Sequence, residues 1–156
     1  MTGTDKPLAL VLGATGGIGG AVASALHARG YRVRAMHRAP GSHARTTPAY
    51  EWVEGDAMNR VDVVAAADGA DLIFHGVNPP GYRNWETLAL PMLENTITAA
   101  RHSKARILFP ATVYNFGPDV LPAPTEDSPQ NAATRKGRIR VAMEERLRET
   151  AWEGTQ

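Results

Sequence analysis

The chain has 156 residues, 43% of them hydrophobic and 21% charged, a size and composition suited to one domain with a substantial core. With 17 Lys+Arg against 16 Asp+Glu the net charge is +1, so the overall balance calls for no polyanionic partner and any basic patch must be local. Cysteine is absent, which excludes disulfides, thiolate catalysis and cysteine-ligated metals. The start MTGTDKP lacks a basic leader and no apolar run approaches a membrane span, so a cytoplasmic protein without membrane contact is expected.

Short apolar runs alternate with Ala-rich amphipathic stretches, which predicts an α/β fold, a parallel sheet with helices on both faces. The first strand is LALVL at 8–12, followed directly by Gly13-Ala14-Thr15-Gly16-Gly17-Ile18-Gly19-Gly20, which opens a helix over 17–29. A Gly-x-x-Gly-x-x-Gly run alone is a weak signal, but placed between a first strand and a first helix it predicts a dinucleotide site. Gly13 would permit the tight turn, Gly16 would let backbone approach a pyrophosphate, and Gly19 would let the helix pack close on the sheet. With Thr15, Gly17 and Ile18 they form the turn in which phosphates meet free N–H groups at the positive helix end. Ile18, Val22, Ala25 and Leu26 share one helix face, as burial against a sheet requires.

The second strand, 31–36, ends in Met36-His37-Arg38-Ala39. A site built for NAD(H) places a carboxylate here to hold the ribose 2′-hydroxyl. No acid is present, and Arg38 can instead pair with a 2′-phosphate and stack on adenine. NADP(H) is therefore the expected cofactor and NAD(H) the second choice. A loop over 39–49 leads to a strand at 50–53, a helix at 59–67 and a strand at 71–75. The next helix, 85–102, contains Pro91 and is expected to start late or kink there. A strand at 106–109 precedes a loop over 115–134 with four prolines, and loops that long in compact domains are often functional. The last helix spans 135–151. The chain then ends in WEGTQ where the alternation calls for another strand, so the domain, 1–156, reads as cut before its last strand or strands.

Together these segments resemble the extended or atypical branch of the short-chain dehydrogenase/reductases, the NAD-dependent epimerase/dehydratase group. LVLGATGGIGG resembles its nucleotide turn, and WVEGDAMN the segment in which an Asp contacts adenine, here Asp56 followed by Ala57. DLIFHGVNPP is similar to its fourth strand and the loop under the nicotinamide ribose, giving Gly76, Val77 and Asn78. ILFPATVYNFG resembles its fifth strand and catalytic Ser/Thr turn, and KGRIRVAMEERL the helix with its Tyr-x-x-x-Lys pair. The resemblance implies a Rossmann-type, doubly wound parallel sheet with strand order beginning 3-2-1-4-5, a C-terminal substrate domain absent from this chain, and homodimer pairing through the helices at 85–102 and 135–151. It also implies a Tyr that moves the substrate proton, a Lys that assists it, and a Ser/Thr that polarises the oxygen. The matching positions hold Lys136, Arg140 and Pro110, with Thr112 two residues further on, so the usual catalytic groups are replaced. Lys136, Arg140 and Thr112 are the candidate catalytic residues, with Tyr114 and Tyr82 as nearby hydroxyls. Lys136 can donate a proton only where a neighbour destabilises its ammonium form, as Arg140 would.

At about 100° per residue, Ile139, Met143 and Leu147 make one apolar stripe on the last helix. Lys136 and Arg140 fall within about 60° of it, so both are expected to lean toward the core and cofactor side, while Arg138, Glu145 and Glu149 face water. A nucleic-acid-binding helix would set its cations on the solvent face among aromatics, so no nucleic-acid partner is expected. Glu144, one turn on, is the alternative partner for Arg140. The five histidines show no metal-ligand spacing, so no metal is expected, and His75 at the end of a buried strand reads as a hydrogen-bonded core residue. Trp85 could line a pocket or pack a helix. Two functions stay open. One is the NADP(H)-binding domain of an epimerase/dehydratase-like or reductase-like oxidoreductase acting on an unidentified small molecule. The other is a non-catalytic NADP(H)-binding redox sensor or regulatory protein.

Overall fold

A computed structural model describes residues 6–79, 81 and 83–152; Tyr82 and the WEGTQ terminus beyond Trp152 lie outside them. Five parallel strands form one sheet in the order β3-β2-β1-β4-β5. Strand β1 (Leu8–Leu12) sits at the centre, pairing with β2 (Arg32–His37) on one side and β4 (Leu72–His75) on the other. The edges are β3 (Glu51–Glu54) and β5 (Arg106–Leu108). Every residue of β1 is buried because both faces of the sheet are covered, which is why LALVL shows no polar alternation.

One face packs Ala9, Val11, Val33 and Phe74 against Ala23 and Leu26 of helix α1 (Gly17–Ala28). The other packs Leu10, Leu12 and Ile73 against Val63 of α3 (Arg60–Ala66) and Ala99 and Ala100 of α4 (Trp85–Ser103). Helix α5 (Arg135–Trp152) lies against α4, where Ile139, Met143 and Leu147 meet Trp85, Ala89, Leu93 and Ile97. The expected apolar stripe therefore does its packing on α4 and β5. A bidentate ion pair, Arg146 Nε–Glu94 Oε1 at 2.5 Å and Nη2–Oε2 at 3.3 Å, ties the two helices further.

Some boundaries differ from expectation for identifiable reasons. The 39–49 loop contains a short helix, α2 (Gly41–Thr46), with no buried residue and hence no periodic signal. It is held from the side: His43 stacks on Trp52 at 5.3 Å, and Trp52 Nε1 donates to Thr47 O at 3.0 Å. Helix α4 begins at Trp85 and runs through Pro91, which is exposed, so the carbonyl that loses its amide partner there is on the wet side. Ile18 is 66% exposed and takes no part in the α1 core face. The 116–134 segment is pinned rather than free: Asn115 Nδ2 donates to Gln130 Oε1, Gln130 Nε2 to Glu144 Oε2, and Asn131 Nδ2 to Asp119 Oδ2.

Candidate functional site

Strands β1, β2, β3 and β4 all end at the same edge of the sheet, and the loops that follow them enclose a groove of about 440 Å3. In parallel sheets ligands bind beyond these carboxyl ends, at the point where strand order reverses, here between β1 and β4. Gly13 has φ +89°, and a Cβ there would lie 2.5 Å from Gly76 O, so only glycine lets the two loops touch. A Cβ on Gly19 would sit 2.0 Å from Gly13 O. Gly19 thus lets α1 pack on the turn itself; the close approach to the sheet expected of it is corrected to an approach to the turn. Gly16 precedes α1 and has no side-chain cap, and the Gly17 position is open to solvent.

Of the residues singled out in the sequence, Gly13, Thr15 and Gly16 form one wall of the groove, His37 and Arg38 its far end. Asp56, Ala57, Gly76, Val77 and Asn78 complete it. Asp56 is set in place by its neighbours: its amide donates to Asp62 Oδ2 at 3.0 Å and its Oδ1 accepts from the Met58 amide at 2.9 Å. Asn59 caps α3 beside it, and Asn95 Nδ2 of α4 donates to Ala57 O at 2.9 Å. Arg38 is exposed and open to a ligand charge, whereas His37 is braced by the Ala39 amide on Nδ1 and by an edge contact with His43. Gly17 and Gly19 do not line the groove; they shape it. Met36, Gly55, Leu88 and Met92 line it without having been singled out. Gly55 carried a signal, since a Cβ there would come within 2.7 Å of Met36 Sδ.

The Gly76–Asn78 loop is shared with a second cavity of about 300 Å3 on the other side. Its walls bring together His75, Pro110, Thr112, Tyr114 and Arg140, with Ile18, Trp85 and Met143 as apolar lining. Arg140 Nη2 donates to Pro110 O, and its guanidinium lies 4.2 Å over the Phe109 ring. Glu144, the alternative partner considered for Arg140, accepts from Gln130 and pairs with Arg148 at 3.4 Å. Thr112 Oγ1 accepts the Tyr114 amide at 3.3 Å, and Tyr114 is 53% exposed. Trp85 serves both of the roles considered for it, packing against Met143 and lining the cavity. His75 hydrogen-bonds Thr96 through Nδ1 at 2.8 Å, and burial, aided by the Arg140 charge, pulls its pKa from 6.5 to about 3.

Lys136 is elsewhere. It is exposed and lines a separate recess with Asn84, Glu86 and Arg135, between the starts of α4 and α5. The expectation that it leans toward the core is corrected. The buried position of that turn belongs to Gly137, where a Cβ would lie 2.1 Å from Tyr114 O; only a glycine lets α5 approach that strand-end turn so closely. Thr134 caps the helix by accepting from the Gly137 amide at 3.0 Å, which sets the phase of the first turn and swings Lys136 outward.

The dinucleotide fits what the residues offer. A glycine cradle that side chains would fill, open amides at the start of a 12-residue helix, a carboxylate and an arginine at the far end are the groups that pyrophosphate, ribose and adenine need. Comparison with known proteins agrees. A family described as NAD(P)H-binding matches residues 13–152. A 3-beta-hydroxysteroid dehydrogenase from Mycolicibacterium neoaurum is 39% identical over 72 residues, 46% of this chain and 19% of that protein. The fold is shared with a nucleoside-diphosphate-sugar epimerase from Pseudomonas aeruginosa, at a TM-score of 0.76 and 23% identity over 97% of this chain and 50% of that one. It is shared too with the Citrobacter sp. triphenylmethane reductase complexed with NADP(H), at a TM-score of 0.69 and 20% identity over 93% of this chain and 46% of that one. The chain spans half or less of the length of each of these relatives. Among the described residues no helix is long and apolar enough to cross a membrane.

Proposed function

The chain belongs to the NAD(P)H-binding family, and from that premise we propose that it is the cofactor-binding domain of a reductase-like or epimerase/dehydratase-like oxidoreductase that prefers NADP(H). The observation that carries this reading is the shared loop: Gly76, Val77 and Asn78 line both the dinucleotide groove and the cavity of His75, Thr112 and Arg140. When bound, the dinucleotide supplies a hydride donor or acceptor. The residues of the chain hold it and receive the substrate. Gly13 and Gly16 leave room for the pyrophosphate beside the free amides of α1, Asp56 takes the adenine side, and Arg38 pairs with the 2′-phosphate. In the cavity Thr112 can donate a hydrogen bond to a substrate oxygen, and the Arg140 charge stabilises negative charge that grows on it. Tyr114 lines the same cavity and is half exposed.

The preference for NADP(H) rests on Arg38 and on the lack of an acid at the end of β2. Calorimetric titration tests it: NADP+ binds more tightly than NAD+, and Arg38→Ala removes the difference. Equal affinity for both dinucleotides, unchanged in the variant, overturns it.

A second reading, a non-catalytic NADP(H)-binding sensor or regulator, is favoured by one observation. Lys136 is exposed in a recess apart from the cavity, and Arg140 is engaged by Pro110 and Phe109, so the seats of the family's usual Tyr and Lys hold no equivalent proton pair. Cofactor binding without NADPH turnover across a panel of carbonyl compounds supports this reading; turnover that is lost in Thr112→Val supports the first.

A further inference from the structure

His75 stands where the groove meets the cavity, with one ring nitrogen accounted for and the other not. Nδ1 lies 2.8 Å from Thr96 Oγ1, and that hydroxyl lies 3.2 Å from Met92 O. Nε2 is buried without a partner among the described residues, in a side chain that is 2% exposed and lines the cavity. A carbonyl oxygen only accepts, and a threonine hydroxyl has a single hydrogen to give. Both contacts are satisfied together only when Thr96 donates to Met92 O and accepts from Nδ1–H. That tautomer leaves a bare lone pair on Nε2. Burial and then the Arg140 charge keep the ring neutral, so it stays an acceptor through the physiological pH range. A buried acceptor with no partner is costly, and a ligand hydrogen would remove that cost.

Another residue lining the same cavity offers the complementary group. Thr112 Oγ1 already accepts the Tyr114 amide, which directs its own hydrogen to a different acceptor. Among the described residues lining the cavity there is no carboxylate, and Ile18, Val77, Trp85 and Met143 make much of the remaining surface apolar. The cavity thus sets a fixed acceptor, His75 Nε2, and a directed donor, Thr112, among largely apolar walls, with the Arg140 guanidinium turned onto Pro110 O and the Phe109 ring.

We propose that His75 is a ligand-binding residue of this cavity: its Nε2 accepts the hydrogen of a hydroxyl on an apolar carbon skeleton, and the oxygen of that hydroxyl accepts from Thr112. The cavity then selects an alcohol over the matching ketone, which has no hydrogen for His75. This rests on the cavity being the substrate end of the dinucleotide site.

Long-range 1H–15N correlation of the 15N-labelled protein at neutral pH reads the tautomer directly, and shows His75 protonated at Nδ1 and bare at Nε2. Cyclohexanol and cyclohexanone, alike in size, then serve as probes, with and without NADP+. Cyclohexanol shifts the His75 Nε2 signal, and cyclohexanone binds about tenfold more weakly, the effect of one hydrogen bond to a buried group. His75→Phe erases the preference. Should that variant fail to fold, Thr96→Val keeps the ring while removing the group that sets its tautomer, and the Nε2 signal moves toward that of a protonated nitrogen. A proton on Nε2 in the unsubstituted protein, an unmoved signal at the highest soluble cyclohexanol, or equal binding of the two probes overturns the assignment. NADP+ affinity is measured in the same samples: its absence overturns the cofactor reading, whereas its presence alongside any of those three results overturns the role of His75 alone.

Discussion

The groove and the cavity on either side of the Gly76–Asn78 loop are built in different ways. The groove is largely backbone: its shape comes from Gly13 and Gly19, whose missing side chains let the Gly76 loop and helix α1 close on the turn after β1, and from amides at the start of α1. The cavity is side chains, brought by the end of β4, the segment from Pro110 to Tyr114 after β5 and the first three turns of α5. A backbone site depends on a few positions at fixed spacing in one stretch of chain. A side-chain site can be rebuilt one residue at a time, because each lining side chain is a separate position in the sequence. The difference teaches that the groove and the cavity are separable in this fold, and each can be tested by substitution without the other.

The largest expected effect tests the backbone side. Gly19→Ala forces a Cβ against Gly13 O, and overpacking of that kind costs about 1–3 kcal/mol. The urea midpoint should fall and NADP(H) affinity with it, by at least about tenfold. Next, Arg38→Ala should weaken NADP+ by about 10–100-fold, the value of one charge-assisted phosphate contact, while leaving NAD+ and the thermal midpoint unchanged. Weakening of both dinucleotides alike would place Arg38 on the adenine or pyrophosphate and erase its role in selection.

The third test belongs to the cavity. His75 has an ordinary pKa near 6.5 when unfolded and about 3 when folded, so between those values the unfolded chain binds the extra proton. Stability from this residue is complete above pH 6.5 and is lost as pH falls, at about 1.4 kcal/mol per unit, or about 2 kcal/mol by pH 5. Chemical denaturation at pH 7 and pH 5 measures it, and His75→Phe should flatten the slope. A smaller effect is expected at the α4–α5 contact that holds the cavity wall. Arg146→Met removes a partly exposed ion pair with Glu94, worth about 0.5–1 kcal/mol after solvent screening, and a double-mutant cycle with Glu94→Gln isolates it. Lys136→Ala should do least, within about 0.5 kcal/mol of stability and without effect on NADP+ affinity. A marked loss of either would return Lys136 to the site.

The fold and the groove were largely legible because their signals are local. LALVL reads as a strand covered on both faces, and the glycine run between it and α1 names its own geometry. Arg38, Asp56 and Gly76–Asn78 follow at the ends of the next three strands, where topology collects them. Helix α2 was not legible, having no buried face, and its position depends on His43 and Trp52 stacking across the chain. Lys136 was misplaced because a helical wheel fixes angles but not where a helix meets its neighbours. The cap at Thr134 and the fit of Gly137 against Tyr114 set that contact.

The amino-acid sequence by itself determined which segments become strands and helices, the dinucleotide turn and the charge at its far end, since each follows from residue type at short range. Only the tertiary structure decided that His75, Thr112 and Arg140 share one cavity and Lys136 does not. Those three come from β4, the segment after β5, and α5, and their meeting depends on how α4 and α5 pack on the sheet. Packing of that kind is a sum over many weak contacts distant in sequence, and no spacing along the chain encodes it.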